Sequence, residues 1–205
     1  MCFGRRQTLQ VYWGVEVAVK RNRRTTPSNQ AIEGRVNAMK AIVVYESLWG
    51  NTAAIARAIA DGIGPEARVL STSQASGEAM AGVDLIVAGA PVLAFRLPTE
   101  QMRKSIGKDP KHSNRPPDLS QPSLRSWLAA ISKGSGRFAA FETGIRRSPG
   151  SATGAIAKSL KRAGYQPIAK DERFIVTGTY GPLADGEVER AKAWGVELAR
   201  LCKAG

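Results

Sequence analysis

From Met39 onward, the sequence alternates between short apolar runs and longer segments with helical spacing. The apolar runs are rich in β-branched residues and lack polar alternation, which is typical of strands buried on both faces. Such strands, separated by helices, form a parallel sheet with helices on both sides. The predicted strands are 40–45, 67–70, 83–89, 137–141 and 174–177, and the predicted helices are 51–63, 123–131, 151–163 and a last one capped by Asp185. Right-handed crossovers leave few topologies for these elements.

Two further features of this pattern are the long connection and the last helix. The long segment 96–122 contains five prolines. We predict a short helix near 99–106 within it, and a connection of this length is usually functional or disordered. In the last helix, the predicted buried stripe consists of Val188, Ala191, Trp194, Leu198 and Leu201, which recur at helical spacing.

Residues 1–38 differ in composition from the rest of the chain. They hold seven basic and two acidic residues, a formal charge of +5. The polar segment 21–30 contains Pro27, so we expect disorder there. Met39 precedes the first predicted strand and is the expected start of a domain over 39–205. The extension is then flexible chain or the product of an upstream start codon, and a basic arm that docks on nucleic acid or lipid is the alternative.

The charge and the rare residue types exclude several kinds of protein. A net charge of +13 attracts acidic proteins, anionic membranes or nucleic acid, or gives only a solvated basic surface. Nucleic acid is disfavoured because aromatic and basic residues do not interleave. There is no apolar run of about 18 residues that could span a membrane. Cys2 and Cys202 indicate neither a disulfide framework nor a metal cluster, which favours the cytoplasm, and a single histidine, His112, argues against zinc sites.

The first predicted strand is followed directly by a loop that opens a helix. This loop consists of Ser47, Leu48, Trp49, Gly50, Asn51 and Thr52. Hydroxyl groups of Ser47 and Thr52, the flexibility of Gly50 and the N–H groups of the helix start together favour a phosphate monoester. The spacing matches neither a Walker loop nor the G-x-G-x-x-G motif of dinucleotide-binding proteins. An ordinary helix start is the alternative, and Trp49 either shields the phosphate or packs.

This loop resembles the phosphate loop of flavodoxins, whose pattern after the first strand is S/T-x-x-G-x-T. The resemblance extends from Lys40 to about Leu201. More narrowly, the segments 89–95, 149–152 and 181–187 are similar to those of actinobacterial flavodoxin-like proteins. The resemblance implies an α/β three-layer sandwich with a five-stranded parallel sheet of order 2-1-3-4-5 and helices on both faces. It also implies FMN as the cofactor.

The resemblance implies that a second loop, after the third strand, runs along the flavin ring. It comprises Pro91, Val92, Leu93, Ala94 and Phe95. Phe95 is the candidate to stack on the isoalloxazine, and a buried anchor for the long segment is the alternative. Flavodoxins often place tryptophan or tyrosine in this loop, and this chain has neither there.

A third loop, 142–150, is predicted after the fourth strand, with Thr143, Gly144 and Arg146 as its cofactor-binding residues. Flavodoxins that shuttle electrons usually carry acidic residues and a tyrosine in this loop, whereas this chain has Arg146 and Arg147. An arginine near the flavin would stabilise the anionic reduced form and raise the reduction potential. A solvated basic loop is the alternative.

These features predict an FMN-binding redox protein that transfers electrons through a non-covalent flavin, without a metal or a catalytic side chain. NAD(P)H or a reductase is the candidate donor, and a redox partner protein or a small acceptor such as a quinone is the candidate acceptor. One alternative is an NAD(P)H-dependent quinone-type reductase with segment 96–122 as a lid or dimer contact. The other is a flavin-free basic binding module on the same fold.

Overall fold

The computed structural model describes residues 39–204, and the structural statements below refer to them. The expectations for residues 1–38, Cys2 among them, lie outside this range. No helix in the described range is both long and apolar enough to cross a membrane. Within the same range, no three His, Cys, Asp or Glu residues are grouped so that they could hold a metal ion.

The described chain forms one parallel sheet flanked by helices. The strands are β1 (Ala41–Tyr45), β2 (Arg68–Ser71), β3 (Leu85–Pro91), β4 (Arg137–Ile145), β5 (Gln166–Pro167) and β6 (Glu172–Val176). The helices are α1 (Asn51–Ile63), α2 (Glu100–Lys108), α3 (Leu124–Ala130), α4 (Thr153–Arg162) and α5 (Glu187–Ala204). The sheet order is β2-β1-β3-β4-β5, and β6 also pairs with β4. The predicted order 2-1-3-4-5 is confirmed, with the fifth position shared by β5 and β6.

The sheet separates two apolar cores, which makes the domain a three-layer sandwich. Alternate side chains of a strand point to opposite faces. In β1, Ile42 and Val44 enter the core beneath α3 and α4, whereas Val43 enters the core beneath α1 and α5. Burial on both faces explains why the strands appear in the sequence as continuous apolar runs.

The ends of two strands differ from the prediction. We expected the third strand to stop at Gly89 and the fourth at Phe141, but β3 continues to Pro91 and β4 to Ile145. The extension of β4 includes Glu142 and Thr143, both buried. Polar residues of this kind indicate a loop in sequence, but they are stable in a buried strand when hydrogen-bonding partners are supplied by other elements.

The last helix also begins differently. It starts at Glu187, so Gly186 rather than Asp185 precedes it. Ala191 and Leu198 are buried as predicted, but Val188 is 44% exposed. The position of Val188 in the stripe is therefore wrong, because Glu187 takes the buried place and its carboxylate accepts a hydrogen bond from the N–H of Ile175 at 2.9 Å.

Helices α1 and α5 approach each other so closely that they require glycine. A Cβ at Gly195 of α5 would overlap the carbonyl oxygen of Ile59 of α1. We expect Gly195→Ala to lower the free energy of unfolding by about 1–3 kcal/mol, measured by urea denaturation, because a packed core resists added volume. Gly154→Ala in α4, where a Cβ meets no atom within 4 Å, is the control and should stabilise by about 0.5–1 kcal/mol. Equal effects of the two substitutions would contradict the close packing.

Candidate functional site

A cavity of about 220 Å³ opens at the carboxyl ends of β1, β3, β4 and β6. It is lined by Ser47, Leu48, Trp49, Asn51, Thr52, Pro91, Val92, Leu93, Ala94, Phe95, Thr143, Gly144, Ile145, Ser148, Val176, Gly178 and Thr179. The predicted site residues line this cavity, except Gly50 and Arg146. Ligands of open parallel sheets bind at this edge, where the strand order reverses. The structure therefore brings three predicted loops together and adds a fourth, after β6.

The first loop leaves the N-terminus of α1 open to an anion. Gly50 precedes the helix at φ +90°, a left-handed conformation that glycine adopts without strain. The Oγ of Ser47 accepts a hydrogen bond from the N–H of Gly50 at 3.1 Å, which fixes the turn. No side chain in the described range caps α1, and its first turn contains no acidic residue. The N–H groups of this turn and the helix dipole therefore favour a negatively charged ligand.

A hydrogen bond connects this loop to the centre of the sheet. The hydroxyl oxygens of Thr52 and Thr143 lie 2.8 Å apart, and both residues are buried. Two hydroxyl groups in contact can reorient their protons toward a new acceptor without moving their oxygen atoms. The pair therefore ties the predicted phosphate loop to β4 and keeps a donor at the cavity.

The second loop turns tightly with two residues in the left-handed region. Leu93 and Arg96 exchange hydrogen bonds of 2.9 and 3.1 Å, and Ala94 and Phe95 between them have φ of 42° and 71°. Residues other than Gly or Asn are strained in such a turn, and strain of this kind is common at functional sites. Phe95 is 59% exposed at the rim of the cavity. The alternative that Phe95 is a buried anchor is therefore wrong.

A buried carboxylate holds the third loop. The Oε2 of Glu142 accepts hydrogen bonds from the N–H groups of Ala152 and Thr153 at 2.6 and 3.1 Å, at the start of α4. Its Oε1 lies 2.6 Å from the Nε of Arg173, whose Nη1 donates to the carbonyl of Ser148 at 2.7 Å. This network fixes the path of residues 146–150 beside the cavity. It also neutralises the N-terminus of α4, which therefore does not compete with α1 for an anion.

An aromatic cluster, made of Trp49, His112 and Tyr180, packs against the first loop. The ring centroid of Trp49 lies 5.3 Å from that of Tyr180 and 5.6 Å from that of His112. The Nδ1 of His112 is 2.6 Å from the Tyr180 hydroxyl oxygen, and the side-chain amide of Asn51 donates to the Tyr180 carbonyl at 3.0 Å. Trp49 therefore packs against other side chains, which is one of the two roles that the sequence suggested for it. No local signal in the sequence indicated that His112 and Tyr180 contact this loop, and neither residue lines the cavity.

Comparison with known proteins identifies the fold. No protein-family model matches the chain, and no curated protein matches it. A flavodoxin from the domain Archaea is 23% identical with a TM-score of 0.57, covering 80% of this chain and 99% of that one. Flavodoxin 2 from Bacillus cereus is 16% identical with a TM-score of 0.56, covering 78% and 98%. The Flv1 flavodiiron core from Synechocystis sp. PCC6803 is 21% identical with a TM-score of 0.55, covering 84% and 38%.

The chain has a flavodoxin-like fold. At these identities the likeness shows the fold alone, and the narrower similarity to actinobacterial proteins stays a prediction. Within the flavodoxin-like fold, the open N-terminus of α1 follows β1 directly, and the turn at Phe95 follows β3. The order of these two loops along the chain agrees with the resemblance found in the sequence.

Arg146 does not line the cavity of this flavodoxin-like domain. Its charge instead acts on Glu187: burial would raise the pKa of that carboxyl, but hydrogen bonds from Arg190 and the Ile175 N–H, with the charges of Arg190 and Arg146, lower it. The predicted effect of Arg146 on the reduction potential stays a prediction without support from the cavity lining.

Segment 96–122 packs against the start of the domain through a buried ion pair and a hydrogen bond. It contains the predicted short helix as α2, whose N-cap Thr99 accepts a hydrogen bond from the N–H of Met102 at 3.2 Å. The buried Arg103 of α2 has its Nε 3.3 Å from the Oε1 of buried Glu46, just after β1. The carbonyl of Arg115 accepts a hydrogen bond from the indole N–H of Trp49 at 3.0 Å. The segment thus forms one wall around the first loop.

Proposed function

We propose that the protein is a redox protein that binds FMN non-covalently in the first cavity. The observation that carries the proposal is the uncapped, acid-free N-terminus of α1, which opens at the strand-order reversal of a flavodoxin-like sheet. Bound FMN would supply electron transfer, while the protein supplies binding, orientation and electrostatics. The division at residue 39 and a cytoplasmic location belong to the same proposal.

The donors of the first loop suit the phosphate of FMN. The first turn of α1 offers its N–H groups, and the hydroxyl-bearing residues Ser47 and Thr52 both line the cavity beside it. Hydrogen bonds to a charged acceptor contribute about 1.5–3 kcal/mol each. A dianionic phosphate can thus be held by amides, hydroxyls and the helix dipole, without a lysine or arginine in contact.

The apolar part of the cavity suits the flavin ring. Pro91, Val92 and Leu93 line one side, and the exposed ring of Phe95 stands at the rim. A planar aromatic ligand there would cover part of the Phe95 surface. Because the turn at Ala94 and Phe95 is held in a strained conformation before binding, little ordering of this loop would be needed.

The proposal is tested by titrating the purified protein with FMN and with riboflavin, which lacks the phosphate. We expect a visible flavin spectrum that shifts on binding FMN. The variant Ser47→Ala with Thr52→Val should lower the affinity for FMN by roughly 10- to 100-fold, because it removes donors to a charged acceptor. Its affinity for riboflavin should stay close to that of the unchanged protein.

Ser159→Ala serves as the control, because the Ser159 hydroxyl donates to the Ala155 carbonyl within α4 and lies outside the cavity. Urea denaturation of each variant separates loss of binding from loss of folding. A protein that takes up no FMN would contradict the proposal and would favour the flavin-free binding module. Equal losses of FMN and riboflavin affinity would show that the first loop does not bind the phosphate.

A quinone-type reductase is the second candidate function. Phe95 and Ile145, which are 59% and 44% exposed, both lie at the rim of the cavity. Exposed apolar side chains beside a cofactor cavity offer a surface for a planar acceptor. Steady turnover of NAD(P)H with a quinone by the FMN-loaded protein distinguishes this candidate from a carrier that docks on a partner protein.

A further inference from the structure

A second cavity, of about 800 Å³, lies on the other side of the first loop. It shares Ser47, Leu48 and Trp49 with the first cavity, and its other walls come from α1, the ends of β1 and β2, and segment 96–122. Its volume falls within the range of about 300–1,000 Å³ that is usual for small-molecule sites. The proposed function does not use this cavity.

Two arginines give the second cavity its positive charge. Arg57 projects from α1 and Arg115 from segment 96–122, and both line the cavity. Neither belongs to an ion pair within residues 39–204. The guanidinium carbon of Arg115 lies 5.5 Å from the ring centroid of Tyr180. Guanidinium groups bind phosphate oxygens with paired hydrogen bonds.

The same cavity contains one carboxylate, that of Asp118. Its Oδ1 accepts hydrogen bonds from the hydroxyl and the N–H of Ser120 at 2.6 and 2.9 Å. These bonds lower the pKa of Asp118, so the group stays ionised. No group among residues 39–204 donates to Oδ2. A carboxylate in such a position repels phosphate but accepts hydrogen bonds from the hydroxyls of a ribose, as in dinucleotide sites.

Rings form part of the wall of the second cavity, namely the aromatic rings of Tyr45 and Trp49 and the saturated rings of Pro116 and Pro117. An aromatic ring provides a stacking surface for a nucleobase, and a proline ring provides apolar contact. Phosphate donors, a ribose acceptor and stacking surfaces therefore occur together in one cavity.

We propose that the second cavity binds a nucleoside phosphate, with Arg57 and Arg115 on the phosphates and Asp118 on the ribose. The ligand is a free nucleotide or the adenylate half of a nicotinamide dinucleotide. This inference goes beyond the proposed function, because it requires no flavin. Since the two cavities share Trp49, a dinucleotide bound here would reach the edge of the first cavity.

The test is isothermal titration calorimetry of the full chain with ADP, NADPH and pyrophosphate, each without FMN and with saturating FMN. We expect ADP to bind more tightly than pyrophosphate. Arg57→Gln with Arg115→Gln should lower the affinity for ADP by at least about 10-fold, since each guanidinium makes charged hydrogen bonds. Asp118→Asn should lower the affinity for ADP but not that for pyrophosphate. Tighter binding of NADPH than of ADP would identify the dinucleotide, and the reverse would identify a free nucleotide.

Arg162→Gln is the matched control, because Arg162 is exposed on α4 and lies outside both cavities. The absence of ADP binding would overturn the inference. So would ADP binding that survives loss of both arginines, or ADP that binds no more tightly than pyrophosphate. The visible spectrum of FMN reports on the first cavity in the same samples. Failure of nucleotide binding is therefore distinguished from failure of flavin binding.

Discussion

Replacing Arg103 by methionine should lower the free energy of unfolding at neutral pH by about 3–5 kcal/mol, the usual effect of leaving a buried charge unpaired. The side chains of Arg103 and Glu46 are only 5% and 2% exposed. Arg103 also donates from Nη2 to the carbonyl of Gln121 at 2.6 Å. Methionine fills a similar volume without the charge, so the ionised carboxylate of Glu46 would remain buried with the Leu124 N–H as its hydrogen-bond donor.

The loss should depend on pH in a defined direction. Burial raises the pKa of Glu46 above 4.5, although the Leu124 N–H and the charge of Arg103 act against it. A folded-state pKa above the unfolded value means that stability falls as the pH rises from the unfolded pKa through the folded one. Without Arg103 the pKa rises further. The deficit of the variant is therefore complete above that pKa and shrinks as the pH falls and Glu46 becomes protonated.

Urea denaturation at neutral pH and at about pH 5 measures this effect. The double variant Glu46→Gln with Arg103→Met is the control, because it removes both charges and should recover most of the lost stability. A deficit of the same size at both pH values would contradict the assignment to Glu46. A double variant no more stable than the single one would show that Arg103 acts mainly through packing.

Replacing Glu142 by alanine should cost a similar free energy of unfolding, about 3–5 kcal/mol. The substitution leaves the N–H groups of Ala152 and Thr153 and the guanidinium of Arg173 without their carboxylate. It should also lower the affinity for FMN, because Arg173 no longer holds residues 146–150 beside the turn at Phe95. A Cβ at Gly150 would overlap the Phe95 carbonyl, so these two loops are in close contact.

Glu172→Ala is the matched control for this prediction. Glu172 pairs with Arg190 at 2.7 Å, and both side chains are about one-third exposed. Removing such a pair usually costs less than about 1 kcal/mol. Urea denaturation and FMN titration of both variants give the comparison. Equal losses from Glu142→Ala and Glu172→Ala would show that the buried carboxylate does not organise the third loop.

The two buried carboxylates also explain why α1 is the open anion site. Glu46 accepts from the N–H of Leu124 at the start of α3, and Glu142 accepts from N–H groups at the start of α4. Helices α2 and α5 have acidic residues in their first turns. Among the helices of residues 39–204, α1 has neither a carboxylate nor a side-chain cap. The domain thus neutralises its other helix N-termini and leaves this one to a ligand.

The sequence by itself determined the parallel sheet and the position of the first loop. These follow from local signals: apolar runs such as Ile42 to Val44, helical spacing, and a Gly-Asn-Thr helix start directly after a strand. The order of the strands was implied by the resemblance to flavodoxins and not by these signals. The carboxyl ends of parallel strands lie at one edge of a sheet, so the sequence also predicted that the loops after the third and fourth strands lie beside the first loop.

Only the tertiary structure decided where the polar residues go. Glu142 and Thr143 continue β4 because the start of α4, Arg173 and Thr52 supply their partners, which lie 10, 31 and 91 residues away along the chain. His112 contacts Tyr180, which is 68 residues further along the chain. Glu46, just after β1, pairs with Arg103 of α2. A local pattern encodes backbone conformation and burial period, but a buried polar contact depends on which elements the completed fold brings together.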